Sequence, residues 1–332
     1  MARELGLEAF GVAAVPADLR QTYFREWIQR GEHGEMAWLA RDPERRTRPE
    51  TLIPGAHSVV AVGQNYYQPE LPRRGRIAKY ALGKDYHKIL LRKLKQLCAI
   101  MRGWGGVNRP YVDTGPLLEK PLAALAGIGW QAKNTLVINQ TEGQWLFLGT
   151  IVTTLSLPPD QPSKDRCGSC TRCIDVCPTQ AITAPYRLDA RRCIAYLTIE
   201  HTGAIPPELR SAIGDHLFGC DDCLDICPWN RWAKITREER YSARSYPDLA
   251  EMLAWDEATF LETFAGTPIR RLGFSRWLRN VAVVLGNTGT PADLPPLEKH
   301  VRSPDPLVRE HARWAVAEIR KRFPDHSDVS RM

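Results

Sequence analysis

The arrangement of cysteines constrains this 332-residue chain more than any other feature of its sequence. Eight of the nine cysteines lie between Cys167 and Cys227, and the ninth is Cys98. Glu4 and Glu8 interrupt the first apolar stretch, which argues against an export signal and predicts a cytoplasmic protein. Because proteins of that compartment rarely rely on disulfides, the cysteine block predicts metal or redox chemistry.

The spacing of these eight cysteines is that of a bacterial two-cluster ferredoxin. Each of two sets ends in a cysteine followed by proline, and the sets are Cys167-x2-Cys170-x2-Cys173-x3-Cys177 and Cys193 with Cys220-x2-Cys223-x3-Cys227. In this spacing three close thiolates hold one [4Fe–4S] cluster and the fourth cysteine reaches the other cluster. We therefore predict one cluster on Cys167, Cys170, Cys173 and Cys227, and a second on Cys177, Cys193, Cys220 and Cys223. Zinc would favour separate CxxC pairs and would not need the proline that follows each set.

Charge and hydropathy add two expectations. The chain has 45 basic and 38 acidic residues, a net charge of +7, and residues 270–332 contain 12 Lys/Arg against 7 Asp/Glu. This balance favours a polyanionic partner. The chain lacks an apolar run of about 18 residues, so we expect no membrane span.

The pattern of apolar residues predicts an α/β region followed by the cysteine block and a helical tail. Helices are expected in residues 1–50, from Asp85 to Met101 with Cys98 on the buried face, and after Thr114-Gly115-Pro116. Strands are expected over 58–63, up to Tyr111-Val112-Asp113, and over 135–138 and 145–155 joined by a turn at 142–143. After Asn230 the chain is helical, and Leu278 to Ala282 weakly repeats as Val308 to Ala312, which suggests stacked helix pairs of the HEAT kind.

Clusters of this kind deliver single electrons, so another part of the chain should use them. No GxGxxG follows a strand and no P-loop is present, so the sequence gives no support for a dinucleotide or P-loop site.

Several motifs resemble those of the epoxyqueuosine reductases, in the same order and over almost the whole chain. Outside the first cysteine set they are Gly83-Lys84-Asp85-Tyr86-His87, Val112-Asp113-Thr114-Gly115-Pro116, Ala126-Gly127-Ile128-Gly129-Trp130-x2-Lys133-Asn134, Cys193-Ile194-Ala195-Tyr196-Leu197-Thr198 and Gly219-Cys220-Asp221-x-Cys223-x3-Cys227-Pro228-Trp229-Asn230.

The resemblance implies a cobalamin-dependent oxidoreductase that reduces the epoxide of epoxyqueuosine to the alkene of queuosine at the wobble position of tRNA. The tRNAs would be those with GUN anticodons, for Asp, Asn, His and Tyr. The external one-electron donor would be a flavodoxin or ferredoxin, and we expect a monomer. The fold class would be α+β: a nitroreductase-like cobalamin-binding α/β domain (1–157), a ferredoxin-like two-cluster domain (158–232) and a HEAT-like helical tRNA-binding domain (233–332).

The resemblance also implies the residues of the active site. Asp113 would protonate the oxygen that leaves the epoxide, and burial would raise its pKa, unless Lys133 lay close to it. Cobalamin would contact Asp113 together with Arg46, Ala78, Val137, Gln140, Leu148, Ile151, Ala195 and Asp221. Asp85-x-His87 begins like the cobalt-ligating Asp-x-His-x-x-Gly loop, but Leu90 stands in place of its glycine. We therefore expect base-off cobalamin without a lower histidine, while Asp85 is a helix N-cap candidate.

Two other functions are compatible with parts of the sequence. A reductive dehalogenase-like corrinoid enzyme acting on a small molecule would share cobalamin and both clusters, but typically has an export signal and no basic helical tail. An electron-transfer ferredoxin fused to a nucleic-acid-binding scaffold would leave residues 1–155 without a role. If the tail binds tRNA through Arg270, Arg271, Arg276, Arg279, Arg309, Arg313, Arg320, Lys321 and Arg322, affinity should fall with salt, and deleting 270–332 should flatten that dependence.

Overall fold

The computed structural model describes residues 2–16, 19–69 and 73–324. Its strands are β1 (Ala9–Ala14), β2 (Ser58–Asn65), β3 (Arg76–Ile77), β4 (Asn108–Tyr111), β5 (Trp130–Gln131), β6 (Val137–Ile138), β7 (Leu146–Thr153) and β8 (His216–Phe218). Its helices are α1 (Gln21–Gln29), α2 (Ala37–Ala40), α3 (Pro43–Thr47), α4 (Tyr86–Met101), α5 (Glu119–Leu125), α6 (Arg172–Asp175), α7 (Ile194–Ile199), α8 (Pro207–Arg210), α9 (Asp222–Asp225), α10 (Leu249–Met252), α11 (Glu257–Thr263), α12 (Phe274–Thr288), α13 (Leu294–His300) and α14 (Pro306–Arg322).

The first part of the chain is built around an antiparallel four-stranded sheet in the order β1-β2-β7-β4. Every residue of β2 is buried, as its β-branched sequence predicts. β1 is a correction, because residues 1–50 were expected to be helical. Its alanines and glycine favour strands only weakly, and pairing with β2 along its full length, from Ala9↔Gly63 to Ala14↔Ser58, stabilises the extended form.

The two strands expected over residues 135–138 and 145–155 are present as β6 and β7, but they do not pair with each other. β6 pairs with β5, whereas β7 lies between β2 and β4 in the main sheet. The turn itself is present, because Asn139 and Gly143 form a bridge and the Asn139 side chain accepts the N–H of Glu142. Local turn chemistry was therefore readable from the sequence, but the partner of each strand was not.

Helix α4 covers one face of this sheet. Asp85 caps its N-terminus by accepting the N–H of His87, as expected. Leu90 and Leu94 are fully buried, and the lack of a side chain at Gly149 lets them lie directly on β7. Cys98 is a buried core residue of this helix, and burial raises the pKa of its thiol to about 11.

The helices of the tail share a core with the rest of the chain. Helices α12 and α14 pack together, and the repeat-related positions Leu278, Leu285, Val308 and Ala315 are all buried between them or their neighbours. The same apolar core contains Ile77 and Leu82 from before α4, and Phe218 from β8. The described residues include no helix long and apolar enough to cross a membrane.

Arg279 of α12 corrects one expectation about the tail. It was placed among the phosphate-binding arginines, but its side chain has no exposed surface. Its guanidinium donates to the carbonyl oxygens of Leu197, His201 and Gly203 at 2.7–2.9 Å. Arg276 likewise donates to the carbonyl of Ile199. These two arginines hold α12 to α7 and to the segment that follows it, and are structural.

Candidate active site

The first group of cysteines forms a single site. Cys167, Cys170, Cys173 and Cys227 line one cavity, although Cys227 comes from the other end of the cysteine block. Lys133 fixes the loop between the first two, because its ammonium donates to the carbonyls of Gly168 at 2.6 Å and Cys170 at 2.9 Å. Burial, together with the charges of the three neighbouring cysteines, raises the pKa of the Cys227 thiol to about 11. Four converging thiols in one cavity are the donor set that a cubane requires.

The second group is adjacent to the first. The charges of Cys193 and Cys177 help to raise the pKa of the Cys223 thiol, and those of Cys223 and Cys193 help to raise the pKa of the Cys220 thiol. Burial is the main reason that the pKa of Cys223 is raised, and Cys173 of the first group adds to it. The N–H of Ala181 donates to the Cys177 sulfur at 3.2 Å, a contact suited to a cluster thiolate. The crossed grouping of cysteines fits two adjacent clusters.

His216 lies against the second group, and sequence reasoning did not single it out. Its Nε2 is 3.3 Å from the Cys220 sulfur and 3.0 Å from Asp222, and these three side chains could hold a metal ion by themselves. Asp222 also pairs with Arg76 at 3.0 Å, so its charge is already compensated. We interpret His216 as a neighbour of the cluster ligand Cys220. No sequence motif identifies this histidine.

Asp113 stands on a tight turn at the end of β4. Its φ of +50° is unusual for a residue with a side chain, and marks a backbone held in place by its surroundings. The carboxylate of Glu119 accepts the N–H of Asp113 at 3.1 Å. Glu119 is also the first residue of α5, so the helix expected at Thr114 begins five residues later. The side chain of Asp113 is 58% exposed and is therefore open to a ligand.

A chain of polar contacts leads from Asp113 to the tail. His87 Nε2 lies 2.9 Å from Asp113 Oδ2, and its Nδ1 lies 2.7 Å from Asp85 Oδ1. Asp85 in turn pairs with Arg271. Both ring nitrogens of His87 are engaged and Leu90 is in the core, so this segment is not arranged as a histidine ligand of cobalt. Hydrogen-bond partners on both nitrogens favour the doubly protonated ring.

The protonation of this group corrects the expectation for Asp113. Although the Asp113 side chain is more than half exposed, loss of solvation to the surrounding protein acts to raise its pKa, but the hydrogen bond and positive charge of His87 outweigh this effect and lower the pKa. Burial acts to lower the pKa of His87, and its hydrogen bonds with Asp113 and Asp85 raise it to about 9. The carboxyl kept neutral is Glu119, because burial and the charge of Asp113 raise its pKa to about 8. The proton of the pair therefore rests on His87 near neutral pH.

Lys120 connects this acid–base group with the second group of cysteines. Burial lowers the pKa of Lys120, and the nearby charges of Asp113, Cys193 and Cys223 oppose that change. Lys133, whose position was open, lies instead at the first group of cysteines. Contacts also link the two sites: the N–H of Lys79 donates to Asp221 beside Cys220, the ring of Tyr80 lies 6.3 Å from that of Tyr86, and the next residue, His87, contacts Asp113. This arrangement suits delivery of electrons and a proton to the same region.

The residues expected to contact cobalamin divide into two groups. Asp221 directly follows Cys220 and Ala195 lies two residues after Cys193. Ala78 packs against Gly219, and the charge of Asp113 acts on Arg46. On the other side, Val137 and Leu148 join a small apolar cluster and Gln140 is exposed. Ile151 is fully buried in the middle of β7, which pairs with β2 and β4, and its contact with cobalamin stays a prediction.

Comparisons with known proteins match this arrangement. A family model described as "4Fe-4S double cluster binding domain" matches residues 166–230, and one described as "Epoxyqueuosine reductase QueG, DUF1730" matches residues 46–114. The chain is 46% identical to the epoxyqueuosine reductase of Xanthomonas campestris pv. campestris over 96% of this chain and 94% of that protein.

Two solved structures are similar over the same extent. One is an epoxyqueuosine reductase with an epoxyqueuosine-modified tRNA-Tyr stem loop, and the other is the Bacillus subtilis enzyme with its catalytic aspartate loop swung out of the active site. Each has a TM-score of 0.87 at 31% identity and covers 96% of this chain and 88% of that chain.

Proposed function

This chain belongs to the epoxyqueuosine reductase family, and we propose that it reduces the epoxide of epoxyqueuosine to the alkene of queuosine at the wobble position of tRNA. The enzyme is an oxidoreductase. The observation that carries the proposal is a continuous path of contacts between the two sites. Asp221, beside Cys220, accepts the N–H of Lys79 at 2.7 Å, and the ring centres of Tyr80 and Tyr86 are 6.3 Å apart. His87, next to Tyr86, lies 2.9 Å from Asp113, so the path joins an electron-transfer site to a proton-transfer site.

The reaction requires both. Removing the epoxide oxygen consumes two electrons and two protons and releases one water molecule as the alkene forms. Each [4Fe–4S] cluster passes one electron at a time. We assign one cluster to Cys167, Cys170, Cys173 and Cys227, and the other to Cys177, Cys193, Cys220 and Cys223. The second cluster is the one beside Asp113.

We further propose that base-off cobalamin binds beside Asp113. When bound, it would supply a strongly reducing cobalt centre at which the carbon–oxygen bond is reduced. Ala78, Arg46, Ala195 and Asp221 would hold it from the side of the second cluster. Asp221 accepts the N–H of Lys79 at 2.7 Å, and burial raises its pKa to about 6. Val137, Gln140, Leu148 and Ile151 remain proposed contacts.

Asp113 is the proposed proton donor, and His87 is the group that supplies it. The leaving oxygen gains negative charge as its bond to carbon breaks, and Asp113 can protonate it only after receiving a proton. His87 holds that proton 2.9 Å away, while Asp85 stabilises the positive charge of the ring from the other side. The similar Bacillus subtilis structure has a catalytic aspartate loop swung out of its active site, which supports an aspartate on a loop as the donor.

We expect turnover to depend on the charge of His87. Because the pKa of His87 is raised to about 9, the ring is protonated at neutral pH and turnover should fall as the pH rises through about 9. His87→Gln keeps a hydrogen bond to Asp113 but carries no transferable proton. We expect it to slow turnover roughly 10²-fold and to remove the alkaline limb of the pH–rate profile. The exposed residue His57 provides the matched control, and the profile of His57→Gln should remain that of the wild type. An unchanged alkaline limb in His87→Gln would assign that limb to another group.

The substrate would be presented by tRNA. A family member has been crystallised with a modified tRNA stem loop, and we propose that this chain also binds tRNAs for Asp, Asn, His and Tyr. We retain the division into cobalamin (1–157), cluster (158–232) and tRNA-binding HEAT-like (233–332) regions as part of the proposal. With Arg276 and Arg279 assigned to structure, exposed residues such as Arg270, Arg302 and Lys321 are the better candidates for phosphate contacts.

The direct test is conversion of the modified nucleoside. Protein reconstituted anaerobically with iron, sulfide and cobalamin should convert epoxyqueuosine in tRNA to queuosine when supplied with a reductant, as judged by mass spectrometry of the digested nucleosides. Omitting cobalamin or the reductant should abolish conversion. If the protein leaves the tRNA unchanged but dehalogenates a small aromatic compound, the alternative corrinoid function is correct.

A further inference from the structure

We propose that an exposed segment beside the first cluster is the docking surface for an acidic one-electron carrier protein. The proposal rests on the proposed function, since each turnover draws two electrons from outside the enzyme. We define the donor surface as Ile226, Arg231, Trp232, Lys234 and Ile235. None of these residues has a role in the chemistry described above.

The apolar side chains of the donor surface are unusually exposed. Within the described ranges, eight large hydrophobic side chains are exposed, and three of them lie here: Ile226 at 39%, Trp232 at 63% and Ile235 at 60%. Exposed apolar groups concentrated in one place mark interaction sites, and tryptophan is among the residues that most often dominate binding energy. Nothing in the chemistry of the enzyme requires a tryptophan in water at this position.

The donor surface belongs to the same segment as a ligand of the first cluster. Ile226 directly precedes Cys227, and Trp232 ends the short 3-10 turn Pro228–Trp232 that follows it. Asn230 holds this turn rigid: its side chain donates to the carbonyl of Leu224 at 2.6 Å and accepts the N–H of Gln144 at 2.7 Å. A carrier bound here would meet the first cluster, while the second cluster lies on the side of Asp113. Electrons would then run from the surface through both clusters to the active site.

The charge of the segment identifies the kind of partner. Residues 226–237 contain three basic residues, Arg231, Lys234 and Arg237, and no acidic residue. The guanidinium of Arg231 lies 4.8 Å from the ring centre of Trp232, so the cation and the aromatic ring form one unit. The side chain of Lys234 is 70% exposed and its contact with Glu142, at 3.9 Å, is long. A basic rim around apolar residues suits a small, transient interface with an acidic protein, for which charge speeds association.

The electron balance requires two encounters. In each, a reduced carrier loses one electron to the first cluster and leaves in its oxidised form. Two such electrons and two protons remove the epoxide oxygen as water. Rapid exchange of carriers therefore matters more than tight binding, as expected of a surface that is small and charged.

The test compares a protein reductant with a small one in the reconstituted holoenzyme. The probes are reduced flavodoxin and dithionite, and the readout is the bleaching rate of the clusters, which needs no tRNA. Arg231→Glu combined with Lys234→Glu should lower the second-order rate with flavodoxin at least about 10-fold and flatten its dependence on salt. Trp232→Ala should lower it by a similar factor. Reduction by dithionite, iron content and the Kd for tRNA should remain unchanged.

Matched controls exist elsewhere on the surface. Trp104 is 58% exposed, and Arg92 and Lys95 are exposed on α4. Trp104→Ala and the double charge reversal of Arg92 and Lys95 should leave the flavodoxin rate at the wild-type value. The proposal is overturned if the donor-surface variants keep that rate, if they slow dithionite equally, or if their main defect is in tRNA affinity. If cluster bleaching behaves as expected but no queuosine forms, the proposed function fails while the docking surface stands.

Discussion

Replacing Asp113 with asparagine is expected to slow queuosine formation by about 10²-fold or more while the protein retains its clusters, its cobalamin and its affinity for tRNA. Asparagine has the same shape, can still hydrogen-bond to His87, and tolerates the φ of +50° at this position better than most residues. It has no acidic proton. The loss would therefore report proton transfer to the leaving oxygen and not a collapse of the turn.

Glu119 makes this experiment decisive, because it is a second carboxyl beside the same turn. Its pKa of about 8 means that it is largely protonated at neutral pH, whereas the pKa of Asp113 is lowered. Glu119→Gln should retain most of the activity if Asp113 is the donor fed by His87. Single-turnover rates of both variants at saturating reductant separate the two carboxyls. A full rate in Asp113→Asn with a large loss in Glu119→Gln would transfer the role to Glu119.

The crossed assignment of the cysteines predicts an equally large effect on iron content. Wild-type protein should bind about eight irons, and each cluster accounts for about four. Cys177→Ala combined with Cys193→Ala removes two ligands of the same cluster and should leave about four irons. Cys173→Ala combined with Cys193→Ala damages both clusters and should leave almost none. Both variants should lose all turnover, because the chain of electron carriers is broken.

Iron analysis of anaerobically purified protein, with electron paramagnetic resonance of the reduced state, measures this difference. Cys98→Ala is the control, because Cys98 is a buried core residue of α4 that belongs to neither group of cysteines, and the variant should keep about eight irons. If the Cys177/Cys193 variant also loses nearly all its iron, the two sets are not crossed or one cluster cannot persist without the other. Stoichiometric zinc in the purified protein, in place of iron, would contradict the assignment of both iron–sulfur clusters.

The cysteine groups could be predicted from sequence because their spacing is set by the size of the cluster, a local constraint. Asp85 as a helix cap and the buried face of α4 were readable for the same reason. The contact between His87 and Asp113 was not, since it depends on how the end of β4 meets the start of α4, 26 residues apart. That contact reverses the expected shift in the pKa of Asp113. Likewise, the sequence of a basic stretch does not show which of its arginines are buried. The prediction that Arg279 lies on the surface is therefore wrong.

The apolar core that joins the tail to the other regions governs how this chain can come apart. Trp277, Val281 and Leu285 of α12 share that core with Leu82 and Phe218. Deleting residues 270–332 would therefore expose apolar residues near the clusters to water. A change in the salt dependence of tRNA binding after that deletion could then come from lost stability as well as from lost phosphate contacts. We therefore expect the tail to unfold together with the rest of the chain, so that tRNA binding and iron retention depend on one cooperative folding equilibrium. A substitution that destabilises a tail helix should then also lower the stability of the regions that hold the clusters.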